Sequence, residues 1–175
     1  MRTAIAFGLV LALWACSEPQ QAPLDIRDTP ALPSVEATLS DPTQLLLVEG
    51  SPLNVARGEL GLVVTGTVAD ASSQFQTEGA ALALGEVNEQ AFANQLVRVT
   101  INARGIGATG FRAAYSTNDN GNSGWIELPL TPEISAVSFD YQVPGINRGA
   151  DDFIGILPPA TGSVEVQSIR VEVIQ

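Results

Sequence analysis

The stretch 97–104, "VRVTINAR", alternates apolar and polar side chains without a break. Val97, Val99 and Ile101 share one parity, and the residues between them are arginine and threonine. A period of two places successive side chains on opposite faces of an extended chain, which is the pattern of a β-strand with one buried face. This stretch therefore predicts a strand.

Similar patterns recur from about residue 43 onward. In "SFDYQV" (138–143) and "IELPL" (126–130) every second residue is apolar. Apolar runs bounded by turn-forming residues are "QLLLVE" (44–49), "LGLVVTGTV" (60–68), "AALAL" (80–84), "GFRAAY" (110–115), "DFIGIL" (152–157) and "SVEVQSIRVEVI" (163–174). "EVNEQAFANQ" (86–95) is consistent with a helical turn or with a loop. About eight to nine strands without a helical layer predict an all-β protein, an antiparallel jelly-roll β-sandwich.

The run 163–174 changes parity within itself. Val164 and Val166 share one parity, whereas Ile169 and Val171 share the other. A regular strand with one buried face cannot bury both sets, because neighbouring residues point to opposite faces. We therefore expect a bulge or kink at residues 167–168.

The composition excludes several kinds of chemistry. The chain has 175 residues with one cysteine, no histidine and eight basic residues, all of them arginine. Catalytic triads need an imidazole base, Schiff-base enzymes need a lysine, and zinc sites mostly use histidine and cysteine. Carboxylate chemistry and oxygen-ligand cation sites remain open. The formal net charge of −11 repels phosphate backbones, so we expect no nucleic-acid partner.

The N-terminal sequence has the pattern of an export signal. One arginine precedes an apolar run, residues 4–15, that is too short to span a bilayer and has the length of a signal-peptide core. Its end, "LWAC" (13–16), resembles the lipobox of bacterial lipoproteins. The resemblance implies a signal peptide over residues 1–15 and a lipid anchor on Cys16 that attaches the protein to a membrane. The alternative is an ordinary signal peptide with a stray cysteine.

A proline-rich segment follows Cys16. Residues 17–42, "SEPQQAPLDIRDTPALPSVEATLSDP", contain little apolar periodicity, so we expect a disordered tether over 16–42 and a sandwich domain over 43–175. In lipoproteins of Gram-negative bacteria an aspartate after the cysteine signals retention in the inner membrane. Ser17 occupies that position, which implies the outer membrane of a bacterial cell envelope, on its periplasmic face or at the cell surface.

A second resemblance covers residues 96–174. The strands and turns of "VRVTINARG", "FRAAYSTND", "SGWIELPL", "SFDYQVP" and "DDFIGILPPATGSVEVQSIRVEVI" are similar to those of carbohydrate-binding modules of the galactose-binding-like sandwich group. This resemblance implies a β-sandwich whose loops at one end hold a glycan.

The stretch 115–125, "YSTNDNGNSGW", is the strongest candidate for a site. Asn-Gly and Ser-Gly supply the positive φ angles of a hairpin connection, so it is either a turn alone or a turn that also forms a ligand rim. A calcium loop over 116–127 is disfavoured, because Glu127 would be its only anionic ligand. As a rim, it would combine an aromatic face with planar polar groups that suit a sugar. The candidate ligand-binding residues are Tyr115, Asn118, Asp119, Asn120, Asn122 and Trp125.

These patterns favour a non-catalytic, membrane-tethered sandwich that binds glycan or envelope polysaccharide and needs no metal or cofactor. One alternative is a structural or assembly lipoprotein that binds another envelope protein. The least favoured is a carboxylate-dependent glycan-cleaving enzyme. Asp151 and Asp152 are neighbours and would point to opposite faces of a strand, so each would need a distant partner. A turn before "FIGIL" explains the pair more simply.

Overall fold

The computed structural model describes residues 31–68, 78–117, 121–145 and 151–174. These residues form ten strands, one α-helix and one turn of 3-10 helix at Pro42–Gln44. The elements are β1 (Ser34–Thr38), β2 (Asn54–Arg57), β3 (Leu62–Thr65), β4 (Ala80–Ala83), α1 (Glu86–Phe92), β5 (Leu96–Ile106), β6 (Gly110–Ser116), β7 (Ile126–Pro129), β8 (Ser135–Gln142), β9 (Phe153–Leu157) and β10 (Ser163–Val173).

The strands form two antiparallel sheets, as the sequence predicted. The six-stranded sheet has the order β2-β3-β10-β5-β8, with β1 paired to the same side of β10 beyond the end of β3. The four-stranded sheet has the order β4-β9-β6-β7. From β3 to β10 the chain crosses between the sheets at almost every connection, which is the arrangement of a jelly-roll sandwich.

The core lies between the two sheets and follows the predicted alternation. In β5, the side chains of Val97, Val99 and Ile101 are fully buried, while Arg98 on the opposite face is exposed. Apolar side chains from β6, β9 and β10 complete the same core. The prediction of an all-β sandwich is confirmed.

The change of parity in β10 is resolved by a β-bulge. Val166 pairs with Ala103 of β5, but the next pair joins Ser168 to Asn102, so the register shifts at Gln167. The extra residue allows Val164 and Ile169, which have opposite parity, both to lie in the core. The expected bulge is therefore confirmed.

A buried ion pair on the outer face of the six-stranded sheet holds the β2–β3 hairpin. Glu165 is 0% exposed, and its Oε1 accepts hydrogen bonds from the backbone N–H groups of Leu60 (2.6 Å) and Gly61 (3.1 Å). Its Oε2 accepts from Nε of Arg104 at 2.7 Å. Both oxygens of this buried carboxylate therefore accept hydrogen bonds, which offsets the cost of its burial.

Two predictions about the N-terminal half need correction, and one strand was missed. The tether was expected to extend to residue 42, but β1 (Ser34–Thr38) lies within it and pairs with residues 168–172 of β10. β2 was not predicted. The run 44–49 was predicted as a strand, but it forms a single bridge, from Leu46 to Ala81, and its first residue, Gln44, belongs to the 3-10 turn that Asp41 caps.

The ambiguous segment 86–95 is helical over Glu86–Phe92 and packs against the core through Phe92, which is fully buried. Among the described residues, no helix is long and apolar enough to cross a membrane. The predicted signal peptide and Cys16 lie outside the described residues.

Candidate functional site

The stretch 115–125 connects β6 to β7 as a hairpin. Backbone hydrogen bonds run from Ser123 N to Tyr115 O and from Thr117 N to Gly121 O, each 2.9 Å. Gly121 and Gly124 have φ angles of 121° and 69°, which residues with a Cβ rarely adopt. The predicted turn chemistry is therefore confirmed in the described part of this hairpin.

Not all of the predicted ligand-binding residues lie at the surface of the hairpin. Tyr115 is 0% exposed and belongs to the core, so its assignment as a ligand-binding residue was wrong. Its parity explains the burial, because it shares the inward face of β6 with Phe111 and Ala113. Asn122 is half-buried, and its Oδ1 accepts a 2.8 Å hydrogen bond from Gly124 N. Asn118, Asp119 and Asn120 lie outside the described residues.

Trp125 is half-buried at the base of the hairpin, as expected from the inward parity of the residues that follow it. Its indole Nε1 is buried and has no hydrogen-bond partner in the structure. The far edge of the ring reaches β4: a Cβ built on Gly79 would lie 3.0 Å from Cη2 of Trp125. Next to Gly79, Oε2 of Glu78 is also buried without a partner. Trp125 therefore has an unsatisfied donor, and Glu78, which precedes Gly79 in sequence, has an unsatisfied acceptor.

One row on the outer face of the four-stranded sheet beside Trp125 consists of small residues. Ala114 pairs with Gly155, and Gly155 pairs with Ala81, so the three form one row across β6, β9 and β4. Their neighbours in each strand pack into the core, so this row faces away from the core, and all three residues are nevertheless buried. Small side chains leave a flat surface, on which a planar ring such as that of Trp125 can lie.

A second feature is a narrow crevice near the same hairpin. It is lined by Glu89 and Ala93 of the helix region, Thr117 of the hairpin, Val143, Pro144 and Gly145 after β8, and Asp152 before β9. The helix and the segment after β8 are joined by a 3.1 Å hydrogen bond from Asn94 N to Pro144 O. The crevice therefore forms where four separate parts of the chain meet.

Two buried carboxylates line this crevice. Glu89 is 6% exposed and Asp152 is 1% exposed. Oδ2 of Asp152 accepts a 2.6 Å hydrogen bond from the hydroxyl of Tyr115. In contrast, Oε1 of Glu89 and Oδ1 of Asp152 are buried and have no hydrogen-bond partner. Asp151, the neighbour of Asp152, is exposed, so the two adjacent carboxylates do not line the crevice together.

Burial disfavours the charged forms of both groups. It raises the pKa of Glu89, and the negative charges of Asp152, Asp151 and Glu86 raise it further. Burial also raises the pKa of Asp152, an effect that the Tyr115 hydrogen bond opposes. Burial and the bond to Asp152 raise the pKa of the Tyr115 hydroxyl, so it stays protonated and acts as a donor.

The crevice is too small to hold a sugar. It encloses about 160 Å³ of empty space, counted up to open solvent. Pockets for small molecules generally have volumes of roughly 300–1,000 Å³. A pair of buried carboxylates is the feature expected of a glycan-cleaving enzyme, but this pair lines a crevice with no room for a sugar ring. The surface around Trp125 is the better candidate for contact with a glycan.

Three solved structures with this architecture are carbohydrate-binding modules. "BiXyn10A CBM1 APO" is 10% identical, with a TM-score of 0.51 over 82% of this chain and 99% of its own. The CBM22-1 xylan-binding domain of Xyn10C from Paenibacillus barcinonensis is 12% identical, with a TM-score of 0.50 over 83% and 97%. The xylan-binding module CBM15 is 9% identical, with a TM-score of 0.51 over 82% and 98%.

At such low identity these similarities establish the fold alone. No protein-family model matches the chain, and no curated protein matches it. The matches nevertheless span 97–99% of each module's own length, so the similarity extends over a complete sandwich.

Proposed function

We propose that this chain is a non-catalytic glycan-binding module tethered to the outer membrane of a bacterial cell envelope. The observation that supports it most is the state of Trp125, whose side chain is partly exposed and whose buried indole N–H lacks a partner. An aromatic face stacks on the C–H groups of a sugar, and the N–H donates to a hydroxyl. The fold, shared with modules described as xylan-binding, is consistent with this proposal.

A second unsatisfied group, Oε2 of Glu78, supports the assignment. Glu78 precedes Gly79 in sequence, and a Cβ built on Gly79 would lie 3.0 Å from the tryptophan ring. A sugar hydroxyl is both a donor and an acceptor, so neighbouring hydroxyls can satisfy the carboxylate and the indole together. We propose that a glycan, either envelope polysaccharide or a sugar-bearing partner, lies along the outer face of the four-stranded sheet beside this ring.

A glycan-array screen of the full chain, followed by calorimetry with the best ligand, tests the proposal. Trp125→Ala should reduce affinity at least about fivefold, since aromatic contacts contribute about 1 kcal/mol beyond buried area. Trp125→Phe keeps a ring but removes the N–H, so it separates stacking from hydrogen bonding. Leu60→Ala is the matched control, because Leu60 is an exposed apolar residue, at 42% exposure, in the turn that joins β2 and β3 of the other sheet.

The outcomes are distinct. Unchanged affinity in Trp125→Ala, with the fold intact, would place the glycan elsewhere and contradict this site. Absence of binding to every glycan would contradict the proposed function itself. Unfolding of the variant would identify Trp125 as a core residue, and Trp125→Phe, which fills most of the same space, would then provide the measurement.

A specific observation favours a second function, that of a structural lipoprotein that binds another envelope protein. Leu46, Leu47 and Val48 are consecutive apolar residues with exposures of 51%, 37% and 41%. Leu46 bridges to Ala81, which places this run beside the edge strand β4. Contiguous exposed apolar surface is typical of protein interaction sites. Loss of partner capture in a Leu46→Ser, Val48→Ser variant that keeps glycan binding would support this second function.

A further inference from the structure

The edge of the six-stranded sheet at β8 is long and open. The N–H and C=O groups along a sheet edge invite another strand, and most proteins block such edges with short strands, prolines, bulges or covering segments. β8 (Ser135–Gln142) is the last strand on one side of its sheet and has eight residues. It contains no proline, and its pairing with β5 runs without a register shift. Among the described residues, no backbone hydrogen bond reaches its free side.

The other edge strands in the described part of the chain are short or blocked. β1 and β2 have five and four residues. β4 is met by Leu46, whose N–H and C=O both bond to Ala81, at 2.8 and 2.9 Å. In β7, the bond from Leu130 N to Thr109 O means that the N–H of the preceding residue would point away from the sheet. That residue is Pro129, which has no N–H to offer.

The free backbone groups of β8 belong to its exposed residues. Val143 N donates to Gln95 O at 2.9 Å, so these two form a hydrogen-bonded pair, and every second residue back along β8 bonds to β5 in the same way. The residues between them therefore point their N–H and C=O groups away from the sheet, and their side chains are exposed. These four outward residues are Ala136, Ser138, Asp140 and Gln142.

We propose that β8 pairs antiparallel with β8 of a second copy of this chain, about a twofold axis at Phe139. Two identical antiparallel strands are self-complementary, because each offers the other the same spacing of donors and acceptors. With the two Phe139 residues opposite each other, Ala136 pairs with Gln142 and Ser138 with Asp140, each twice. Each of these pairs exchanges two hydrogen bonds, so the contact contains about eight.

The side chains suit this register. On the outer face, Asp140 of one copy lies opposite Ser138 of the other, so like charges do not meet. On the inner face, Phe139 lies opposite Phe139, and Val137 lies opposite Tyr141. Pairs of aromatic residues, and pairs of an aromatic with a β-branched residue, stabilise neighbouring strands. Val137 and Tyr141 are half-buried in the single chain, so pairing removes more of their apolar surface from water.

This contact is independent of glycan binding, since β8 and the proposed glycan surface belong to different sheets. Sedimentation equilibrium of the full chain from about 10 µM to 1 mM is the test, because small interfaces are weak. A reversible equilibrium between monomer and dimer is expected. Each copy has a formal net charge of −11, so the copies repel each other. Raising NaCl from about 0.05 to 0.5 M should therefore strengthen the dimer by screening.

Hydrogen exchange measured by NMR locates the contact. The amides of the four outward residues should exchange rapidly in dilute protein and become protected at high concentration. The amides of Val137, Phe139 and Tyr141, which bond to β5, should be protected at every concentration and serve as the internal reference.

Substitutions at Ser138 test the edge and the register. Ser138→Pro removes an N–H that the single chain does not use, so the fold should persist while dimer affinity falls at least about tenfold. Ser138→Asp places like charges opposite each other twice and should weaken the dimer by a similar factor, about tenfold. The double variant Ser138→Asp, Asp140→Ser has the net charge of the wild type and restores the Asp–Ser pairs, so it should recover most of the affinity.

Thr38→Asp is the matched control, since it adds the same charge to an exposed residue of the edge strand β1. It should change dimer affinity by about twofold or less. All variants keep residues 1–30, so association that every variant retains does not involve β8.

Wild-type protein that stays monomeric up to about 1 mM would overturn the proposal. So would a dimer in which the outward amides stay unprotected, or one that Ser138→Pro and Ser138→Asp leave unchanged. Failure of the double variant to recover, with its fold intact, would contradict the register at Phe139. Protection of the outward amides only after another protein is added would assign this edge to that protein instead of a second copy.

Discussion

The hydroxyl of Tyr115 lies 2.6 Å from Oδ2 of Asp152, and both side chains are almost completely buried. This hydrogen bond joins β6 to the residue that precedes β9, directly beneath the hairpin 115–125. The ring of Tyr115 also contacts Tyr141 of β8, with centroids 5.1 Å apart. A residue that the sequence suggested for ligand contact is therefore a connection between the two sheets.

Tyr115→Phe should destabilise the fold by about 1–3 kcal/mol, because it leaves the buried Asp152 oxygen without its donor. Chemical unfolding of wild type and variant in the same buffer measures the difference. Tyr141→Phe is the control. Tyr141 is only partly buried, so removal of its hydroxyl should lower the free energy of unfolding by less. Equal stability of Tyr115→Phe and wild type would show that this hydrogen bond contributes nothing net.

Glu165→Gln should destabilise the chain by about 2 kcal/mol or more, because it breaks a buried ion pair and leaves Arg104 with an incomplete partner. Asp140→Asn is the matched control. Its pair with Arg98 also joins two strands, but both side chains are at least 40% exposed, so the cost should be below about 1 kcal/mol. A similar cost for both substitutions would contradict the role given to burial.

Glu165 should also make the stability of the fold sensitive to acid. Burial alone would raise the pKa of Glu165, but hydrogen bonds from Leu60, Arg104 and Gly61 outweigh it and hold that pKa below 4.5. A carboxylate with a lowered pKa stabilises the native state above its ordinary pKa, and this contribution disappears as the pH falls through the lowered value. Unfolding free energies measured from pH 6 downward should therefore show a loss below about pH 4.5 that is smaller in Glu165→Gln.

The contribution of Glu89 to stability should depend on pH in the opposite direction. Its raised pKa means that the native state binds a proton more tightly than the unfolded chain does, so stability rises as the pH falls from that raised pKa towards 4.5. Glu89→Gln should therefore be at least as stable as wild type at neutral pH, and lose this advantage near pH 4.5. A variant that is less stable than wild type at neutral pH would contradict the charge repulsion inferred at the crevice.

We predict that Cys16 anchors the protein to a membrane. Cys16→Ser should then move the protein from the membrane fraction to the soluble fraction, because a serine hydroxyl cannot form the thioether through which lipid would be attached. Fractionation of bacterial cells that express each form, with immunoblotting of both fractions, provides the measurement. Wild-type protein that is already soluble would refute lipidation and leave an ordinary signal peptide as the explanation of residues 1–15.

Most of the fold could be read from the sequence where a strand buries one face. β5 and β10 have long alternating patterns, and the parity change in β10 identified its bulge. β1 and β2 escaped detection because they are short, and most of their residues are exposed or half-buried in the structure. Strands of this kind depend on pairing with β10 and β3 and carry little hydrophobic pattern of their own.

Less of the candidate site than of the fold could be predicted from the sequence. The turn at 115–125 and the exposure of Trp125 followed from local chemistry and parity. Tyr115 was misassigned because its position beside a polar loop was given more weight than its parity with Phe111 and Ala113. Asp152 needed a distant partner that the sequence does not indicate, and Glu89, 63 residues earlier, lines the same crevice. Proximity of that kind arises only from the tertiary fold.

The position of β10 has a consequence for the order in which the protein can assemble. One edge of β10 carries both β3 and β1, and its other edge carries β5, yet β10 follows all three in the chain. Ser34 meets Glu172, for example, across nearly the whole described length. Contacts this distant in sequence slow folding. The six-stranded sheet cannot form completely before β10 is available to pair. If the chain is exported through a translocation channel, its larger sheet would therefore stay incomplete until nearly the whole chain has crossed.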